Sequence, residues 1–209
     1  MNEQTELLIA TGNAGKVREL SQLLAGLPLR PRLLSDFAGI PEAEETGATF
    51  AENATIKALH YSAHSGLLTL SDDSGLAVDA LGGAPGVYSA RYAGAQATYP
   101  ERMARLLGEL ESAGGDERRA RFVCVIAVAD PSAGSVHTFE GVCEGRIAGE
   151  PRGTGGFGYD PLFIPEGHDR TFGELPAEVK HSLSHRARAL AGAVRHLRAL
   201  YTGPRLTLE

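Results

Sequence analysis

The segment 11-TGNAGK-16 constrains the fold of this chain more than any other, because it joins two elements of different type. Residues 6–10, ELLIA, form a short apolar run that is typical of a buried strand. Residues 17–27, VRELSQLLAGL, place Leu20, Leu23, Leu24 and Leu27 on one face at helical spacing. A glycine-containing turn between a strand and a helix brings main-chain amides to the helix N-terminus, where an anion can bind. The segment therefore predicts an α/β unit with an anion-binding loop.

The rest of the chain alternates strands and helices before it changes to antiparallel strands. Two capping boxes, formed by Thr49 with Glu52 and by Thr98 with Glu101, each predict the start of a helix. We find no internal repeat or linker, so we expect a single domain over residues 1–209 with an α/β fold and a mixed sheet. The predicted strands are 29–35, 67–71, 121–130 and one or two within 135–148, and the predicted helices are 17–27, 50–64, 100–111 and 184–201.

Charge and hydropathy exclude two classes of partner. The formal net charge is -6, and the Lys and Arg residues are scattered along the chain, so we expect no nucleic-acid ligand. No apolar run approaches the roughly 18 residues of a membrane-spanning helix, so we expect no membrane partner. The acidic and polar start of the chain, MNEQTELLIA, does not resemble a signal peptide, and we therefore expect a cytoplasmic protein.

Neither glycine-rich segment matches a common nucleotide-binding motif in its full context. A Walker A loop ending at Lys16 would need Gly at position 10 and Ser or Thr at position 17, where the chain has Ala10 and Val17. The segment 153-GTGGFG-158 matches GxGxxG, but the residues that follow, YDPLF, do not favour a helix start. It is either a flexible loop or a loop that closes over a flat ring, with Phe157 as the stacking face.

The acidic segment 71-SDDSG-75 follows a predicted strand. Adjacent residues of a strand point to opposite faces, so only one of Asp72 and Asp73 can face a given cleft. A carboxylate at a strand end can hold a hard divalent cation, but Asp and Ser equally favour a turn that caps the next element. The segment 42-EAEETG-47 is ordinary for the start of a helix, unless one of its carboxylates shares a metal with Asp73.

The segment 180-KHSLSHR-186 concentrates basic residues near the start of the last predicted helix. Ser184 is a reasonable N-cap for that helix. The segment is either a basic helix surface or a cluster of donors in which Lys180, His185 and Arg186 meet a phosphate or the edge of a base.

Taken in order, five segments resemble the motifs of the Ham1/RdgB family of inosine-triphosphate pyrophosphatases, also called dITP/XTP pyrophosphatases. The resemblance implies an α/β fold with a long twisted central sheet and two lobes around an active-site cleft. It also implies a Mg²⁺-dependent homodimer that hydrolyses ITP, dITP and XTP to the monophosphate and pyrophosphate. The segments, which span residues 10 to 190, are ATGNAGKVREL, AEETGATFAENATIKA, SDDSGLAVDALGGAPGVYSARYAG, GTGGFGYDPLF and EVKHSLSHRARAL.

The resemblance also implies roles for individual residues. Asp73 is expected to be the proton acceptor and a metal ligand, Glu44 the other metal ligand, and Ser74 a substrate contact. The triphosphate is expected to bind Thr11, Gly12, Asn13, Ala14, Gly15 and Lys16, and the base to bind Phe157, Gly158, Tyr159, Asp160, Lys180, His185 and Arg186.

Two other functions remain open at the level of the sequence. One is a phosphohydrolase that releases orthophosphate from a nucleoside triphosphate. The other is a non-catalytic sensor that binds purine nucleotides without turnover.

Overall fold

A six-stranded mixed sheet forms the centre of the computed structural model, which describes residues 5–114 and 117–202. The strand order is β2-β1-β3-β4-β5-β6; β1 runs parallel to β2 and β3, and the pairs from β3 to β6 are antiparallel. The predicted mixed α/β fold is confirmed. The strands are β1 (Thr5–Ile9), β2 (Leu29–Leu33), β3 (Leu68–Val78), β4 (Arg119–Asp130), β5 (Ser135–Ile147) and β6 (Phe163–Pro165), and the helices are α1 (Ala14–Leu23), α2 (Phe50–Ser65), α3 (Tyr99–Ser112), α4 (Ala177–Leu183) and α5 (His185–Thr202).

Several element boundaries differ from the prediction. Helix α1 begins at Ala14 rather than Val17, because the Asn13 side chain accepts hydrogen bonds from the amides of Gly15 and Lys16 and so caps the helix inside the motif. Strand β3 does not end at Asp72 but continues to Val78, because it pairs with β4 over its whole length from Thr69. Both aspartates are therefore in mid-strand, and the prediction of a strand end or capping turn there is wrong. The segment 135–148 forms one strand, and β6 and α4 were not predicted.

Strand β3 connects two hydrophobic cores through a polar interruption. Its first apolar residues, Leu68 and Leu70, pack with α1 and α5, and its last ones, Leu76 and Val78, pack with α3 and the phenylalanines of the 122–172 region. All four side chains point to one face, and the positions between them on that face belong to Asp72 and Ser74. The two cores correspond to the two expected lobes, and the polar residues lie at their junction.

The other face of β3 is covered by α2. Ala54 and Ala58 of this helix pack on Val125 and other small residues of β4. The predicted capping box of Thr49 and Glu52 is confirmed at the start of the helix. Asp73 points to this face, on the opposite side from Asp72. Within the described ranges, no helix is both long enough and apolar enough to span a membrane.

Candidate active site

A cleft of about 410 Å³ opens at the junction of the two cores. Its floor is the central part of β3, where Asp73 and Ser74 are accessible from the cleft. The start of α1 lies on one side, the 42–45 segment and α2 on another, and the 157–160 loop with the starts of α4 and α5 on a third. Segments far apart in the sequence therefore meet around one cavity that combines carboxylates and basic side chains.

The loop before α1 presents an anion-binding helix start to this cleft. Thr11, Gly12, Asn13 and Lys16 line the cavity, whereas Ala14 and Gly15 do not. The Oδ1 atom of Asn13 accepts from the amides of Gly15 (2.9 Å) and Lys16 (3.2 Å), so this oxygen serves the helix cap. An anion can bind to the positive end of the helix, to the exposed backbone of the loop and to the Lys16 ammonium group.

Asp72 is fully buried and joins the anion-binding loop to α5. Its Oδ2 atom lies 3.0 Å from Lys16 Nζ and 3.2 Å from an Arg186 nitrogen, and it also accepts from the Ser74 hydroxyl at 3.3 Å. Burial alone would raise the pKa of Asp72, but Lys16, Arg186 and Lys57 together hold it far below its usual value. Asp72 is therefore a permanent anion that fixes two basic side chains.

Glu19 is a second buried anion, which holds the basic residues of the opposite wall. Its carboxylate accepts from Arg186 and lies 2.6 Å from Lys180 Nζ. Lys180 Nζ also donates to Asp160 Oδ2 at 2.6 Å. Burial opposes ionisation of Glu19, but Arg186 and Lys180 lower its pKa below the usual value. Glu19 thus fixes Lys180 and Arg186 beside the cleft, together with Asp160 and Asp72 respectively.

The hydrogen bonds of Arg186 leave little of its guanidinium for a ligand. Its Nε donates to Asp72, one terminal nitrogen donates to Glu19, and the other donates to both Asp72 and Ser74. A guanidinium has five N–H donors, so one remains. Arg186 therefore acts mainly as a fixed internal cation that positions Ser74 and Asp72.

Phe157 closes the cavity over these basic side chains. Its ring centroid lies 4.6 Å from Lys180 Nζ and 5.6 Å from Arg186 Cζ. The ring also packs on the start of α1, where a Cβ atom at Gly15 would lie only 2.8 Å from Phe157 Cγ, so a side chain at position 15 would displace the ring. An aromatic face next to cations is well suited to a flat heterocycle.

The side chain of Asp160 fixes the conformation of the 157–160 loop from inside the protein. Its buried Oδ2 accepts from the amide of Phe157 (2.7 Å) as well as from Lys180. A Cβ atom at Gly156, which has a φ of 71°, would lie 2.0 Å from the same oxygen, so only glycine fits there. Tyr159 is buried and donates to the carbonyl of Ser89, which anchors the loop on the far side. Phe157 and Gly158 thus form a fixed part of the cleft wall.

His185 lies in the cleft wall as a neutral imidazole. Its ring stacks on Phe122 with a centroid separation of 4.6 Å, and its Nδ1 atom is buried without a hydrogen-bond partner in the described structure. Burial, with smaller contributions from Arg186 and Lys180, lowers the pKa of His185 well below 6.5. A neutral ring has one donor and one acceptor nitrogen, so His185 can read a ligand atom without adding charge.

Asp73 has surroundings very different from those of Asp72. Its Oδ1 accepts from Lys57 Nζ at 3.0 Å, and its Oδ2 is buried without a partner among the described residues. Burial raises the pKa of Asp73 above its usual value, although Lys57 and Lys16 oppose the shift. Lys57 also lies 3.1 Å from Glu45 Oε1. A carboxylate with an unused oxygen and a raised pKa is suited to accept a proton or to hold a cation.

The segment 42-EAEETG-47 borders the cleft, but not through the residue that the resemblance implied. Within the described part of the chain, Glu42 and Glu45 line the cavity, whereas Glu44 is exposed and outside the lining. Glu45 is the residue linked to Asp73, through Lys57. Over residues 5–114 and 117–202, no three His, Cys, Asp or Glu residues form a cluster able to hold a metal ion. The role of Glu44 stays a prediction.

The other sequence-predicted residues converge on the cleft, and three important ones were missed. Ser74, Phe157, Gly158, Tyr159, Asp160, Lys180, His185 and Arg186 line it with Asp73 and most of the 11–16 loop. Sequence reasoning missed Glu19, Lys57 and Glu45. Lys57 had one usable signal, because it lies on the helical face of Ala54 and Ala58, where a lysine would be buried. Glu19 follows an ordinary surface pattern and gave none.

Comparison with known proteins gives a consistent result. The model of the Ham1 family matches residues 7–196 of the chain. A dITP/XTP pyrophosphatase of Desulforamulus reducens is 51% identical, over 94% of this chain and 97% of the relative. A dITP/XTP pyrophosphatase of Geobacter sulfurreducens is 52% identical, over 92% of this chain and 96% of the relative.

Solved structures show the same likeness in three dimensions. The structure of a HAM1 protein from Coxiella burnetii superposes with a TM-score of 0.86 at 44% identity, covering 92% of this chain and 98% of that one. The Staphylococcus aureus Ham1 protein superposes with a TM-score of 0.84 at 36% identity, covering 94% of this chain and 100% of that one.

Proposed function

This chain belongs to the Ham1 family, and from that premise we propose that it hydrolyses ITP, dITP and XTP to the monophosphate and pyrophosphate. Two curated relatives of about half-identical sequence carry the name dITP/XTP pyrophosphatase and align over nearly their full length. The observation that carries the proposal is the free Oδ2 of Asp73, which lies in a cleft between an anion-binding helix start and an aromatic wall with fixed cations. A nucleotide has the same order of parts: phosphates, sugar and flat base.

Asp73 is the group that we assign to proton transfer. Water attacks the α-phosphorus, and the bond from that phosphorus to the bridging oxygen of the β-phosphate breaks. Pyrophosphate then leaves with the electron pair of that bond. Asp73 Oδ2 has no competing donor among the described residues and can accept the proton of the attacking water. Lys16 and the α1 N-terminus stabilise the negative phosphates.

The site also fits Mg²⁺, which we propose as the cofactor. Asp73 has an unsatisfied buried oxygen, and the 42–47 segment brings carboxylates to the same part of the cleft. Mg²⁺ is commonly held by one or two carboxylates together with phosphate oxygens, so two protein ligands suffice. Asp73 would be one ligand; Glu44 is the second by resemblance, whereas Glu45 is the carboxylate that shares Lys57 with Asp73. When bound, the ion would neutralise charge on the phosphate oxygens.

Base selection follows from the donors in the aromatic wall. The base stacks on Phe157, and its 6-keto oxygen meets N–H donors of His185, Lys180 or the remaining N–H of Arg186. Adenine has an amino group at this position, which cannot accept a hydrogen bond and leaves those donors unpaired. Sites built on such buried hydrogen bonds discriminate by factors of about 10⁴.

The test is a panel of ITP, dITP, XTP, GTP and ATP incubated with Mg²⁺, with the products identified. We expect pyrophosphate and monophosphate from the first three and slow turnover of ATP, which has a 6-amino group. GTP shares the 6-keto oxygen, so its rejection requires a separate contact near its 2-amino group. Orthophosphate as the primary product would assign the protein to the phosphohydrolases instead. Binding of ITP without turnover would make it a sensor.

The resemblance further leads us to propose a homodimer that acts in the cytoplasm. Light scattering coupled to size-exclusion chromatography measures the mass in solution, against 22.0 kDa for one chain. A monomer at micromolar concentration would contradict the dimer without affecting the proposed chemistry.

A further inference from the structure

Lys57 contacts two carboxylates of the cleft, those of Asp73 and Glu45. Its ammonium lies 3.0 Å from Asp73 Oδ1 and 3.1 Å from Glu45 Oε1, and its side chain is only 11% exposed. Two carboxylates within hydrogen-bond distance of an ammonium favour its charged form. The lysine is therefore a full positive charge between two carboxylates.

Lys57 satisfies only part of the hydrogen-bonding capacity of Asp73 and Glu45. Asp73 Oδ2 is buried and has no partner among the described residues, while Oδ1 is occupied by Lys57. Glu45 lines the cleft with one third of its side chain exposed, and its second oxygen has no hydrogen-bond partner among the described residues. With one ammonium and two carboxylates, the group carries a net charge of -1. The group thus retains both an unused acceptor and an excess negative charge.

We infer that Lys57 is an internal substitute for the divalent cation: in the free protein it pairs with the two carboxylates, and a metal ion binds them tightly only when it displaces Lys57. This inference rests on the proposed function, since it takes Asp73 as a metal ligand. A divalent ion beside the buried ammonium is repelled by it, so the metal binds weakly while Lys57 stays in place. The displaced ammonium then needs another anion, and the polyphosphate in the same cleft supplies one.

The consequence is that metal and nucleotide bind cooperatively. A nucleotide that accepts Lys57 makes the carboxylates available to the metal, and by linkage the metal makes Lys57 available to the nucleotide by the same factor. Lys16 does not contact Asp73, because its ammonium pairs with Asp72 on the other face of β3. Lys57 and Lys16 therefore differ in a way that can be measured.

The experiment measures Mn²⁺ binding by electron paramagnetic resonance without nucleotide and without turnover. Lys57→Met removes the charge and keeps the length of the side chain, so we expect Mn²⁺ to bind between about 5-fold and 150-fold more tightly than to the wild type. Lys57→Gln is a second variant with a polar side chain and the same expected direction. Lys16→Met is the comparison variant: it removes a charge that acts on Asp73 without contacting it, so its gain in Mn²⁺ affinity should be smaller than that of Lys57→Met.

Equal or weaker Mn²⁺ binding by folded Lys57 variants would overturn the inference, as would an equal gain in Lys16→Met. Circular dichroism melting shows whether each variant is folded. Wild-type crystals soaked with Mn²⁺ and a non-hydrolysable ITP analogue supply a test without mutation: Lys57 Nζ should leave hydrogen-bond distance of Asp73. If the metal binds either oxygen of Asp73 while Lys57 stays within hydrogen-bond distance of that residue, the inference fails. Failure of the proposed function is separate, because the product panel with wild-type protein decides it.

Discussion

Asp72 and Asp73 are neighbours on one strand, yet their carboxylates lie in opposite electrostatic environments. Asp72 contacts Lys16, Arg186 and Ser74, and its pKa is far below the usual value despite complete burial. Asp73 contacts Lys57 through one oxygen, and burial raises its pKa. The pleat of β3 separates them, because adjacent side chains point to opposite faces. Residue type alone does not assign a role here; the face of the sheet does.

The comparison separates the structural role of Asp72 from the chemical role of Asp73. An ionised carboxylate with several basic partners cannot easily accept a proton, so Asp72 is suited to positioning. A carboxylate with a raised pKa and an unused oxygen is suited to proton transfer. Each role can be tested by replacing one aspartate with asparagine, since this substitution keeps the shape of the side chain.

The largest expected effect is on turnover in Asp73→Asn. Loss of a positioned proton acceptor typically lowers the rate by about 10²–10⁴, and we expect ITP hydrolysis to fall by at least that range while ITP binding is retained. Product formation and equilibrium binding are measured on the same preparation. Asp169→Asn, at a fully exposed aspartate outside the cleft lining, is the matched control and should turn over normally. Near-normal turnover in Asp73→Asn would refute the assignment.

The second effect is on stability, and the two aspartates should differ in sign. Asp72→Asn leaves Lys16 and Arg186 without a buried anion, and breaking a buried pair typically costs about 3–5 kcal/mol of unfolding free energy. Asp73→Asn should leave the unfolding free energy unchanged or higher, because a raised pKa means that the fold disfavours the charged form. Urea denaturation at pH 7 measures both. Equal losses in the two variants would remove the distinction.

Part of this comparison was available from the sequence. The alternation along β3 predicts that Asp72 and Asp73 point to opposite faces, and the structure confirms it. The position of the strand end was not predictable, because Asp, Ser and Gly disfavour strands locally. Pairing with the apolar strand β4 overrides that preference over the whole of β3. In the same way, the helix start at Ala14 depended on an Asn13 cap that lies inside a glycine-containing turn.

The ionic partners of the cleft were less predictable than its motifs. The motif residues are close together in sequence and carry recognisable spacing. Glu19 pairs with Lys180 and Arg186, which follow it by more than 160 residues, and only the packing of α1 and α4 against α5 brings them together. Glu45 was one of three neighbouring glutamates, and nothing in the local sequence distinguishes it from Glu44. Long-range charge pairing therefore had to come from the structure.

Arg186→Ala tests the Asp72 side of the cleft, because it removes one of the two basic side chains that contact Asp72. Arg186→Ala takes one N–H donor from the base and frees Ser74 and Asp72 to move, so we expect the preference for ITP over ATP to fall by about 10–100-fold. The ratio of kcat/KM values is the right measurement, because it does not depend on the fraction of folded enzyme. An unchanged ratio would show that His185 and Lys180 read the base without help from Arg186.

The smallest expected effect is on the pH dependence of the unfolding free energy. It tests whether the face of β3 that carries Asp72 tolerates a protonated His185. His185 is buried and neutral, so its folded pKa is well below the value of about 6.5 in the unfolded chain. Below pH 6.5 the unfolded chain binds a proton that the native protein does not. The unfolding free energy therefore decreases as the pH is lowered, by up to about 1.4 kcal/mol per pH unit, until the folded pKa is reached.

His185→Phe can keep the stacking on Phe122 but has no proton to bind. The difference in unfolding free energy between wild type and variant should therefore change between pH 7.5 and pH 5.5, with the wild type losing more, while the contributions of the other histidines cancel. Parallel curves would mean that His185 is protonated in the fold, and that Asp72 then outweighs the repulsion of Arg186 and Lys180 at the site.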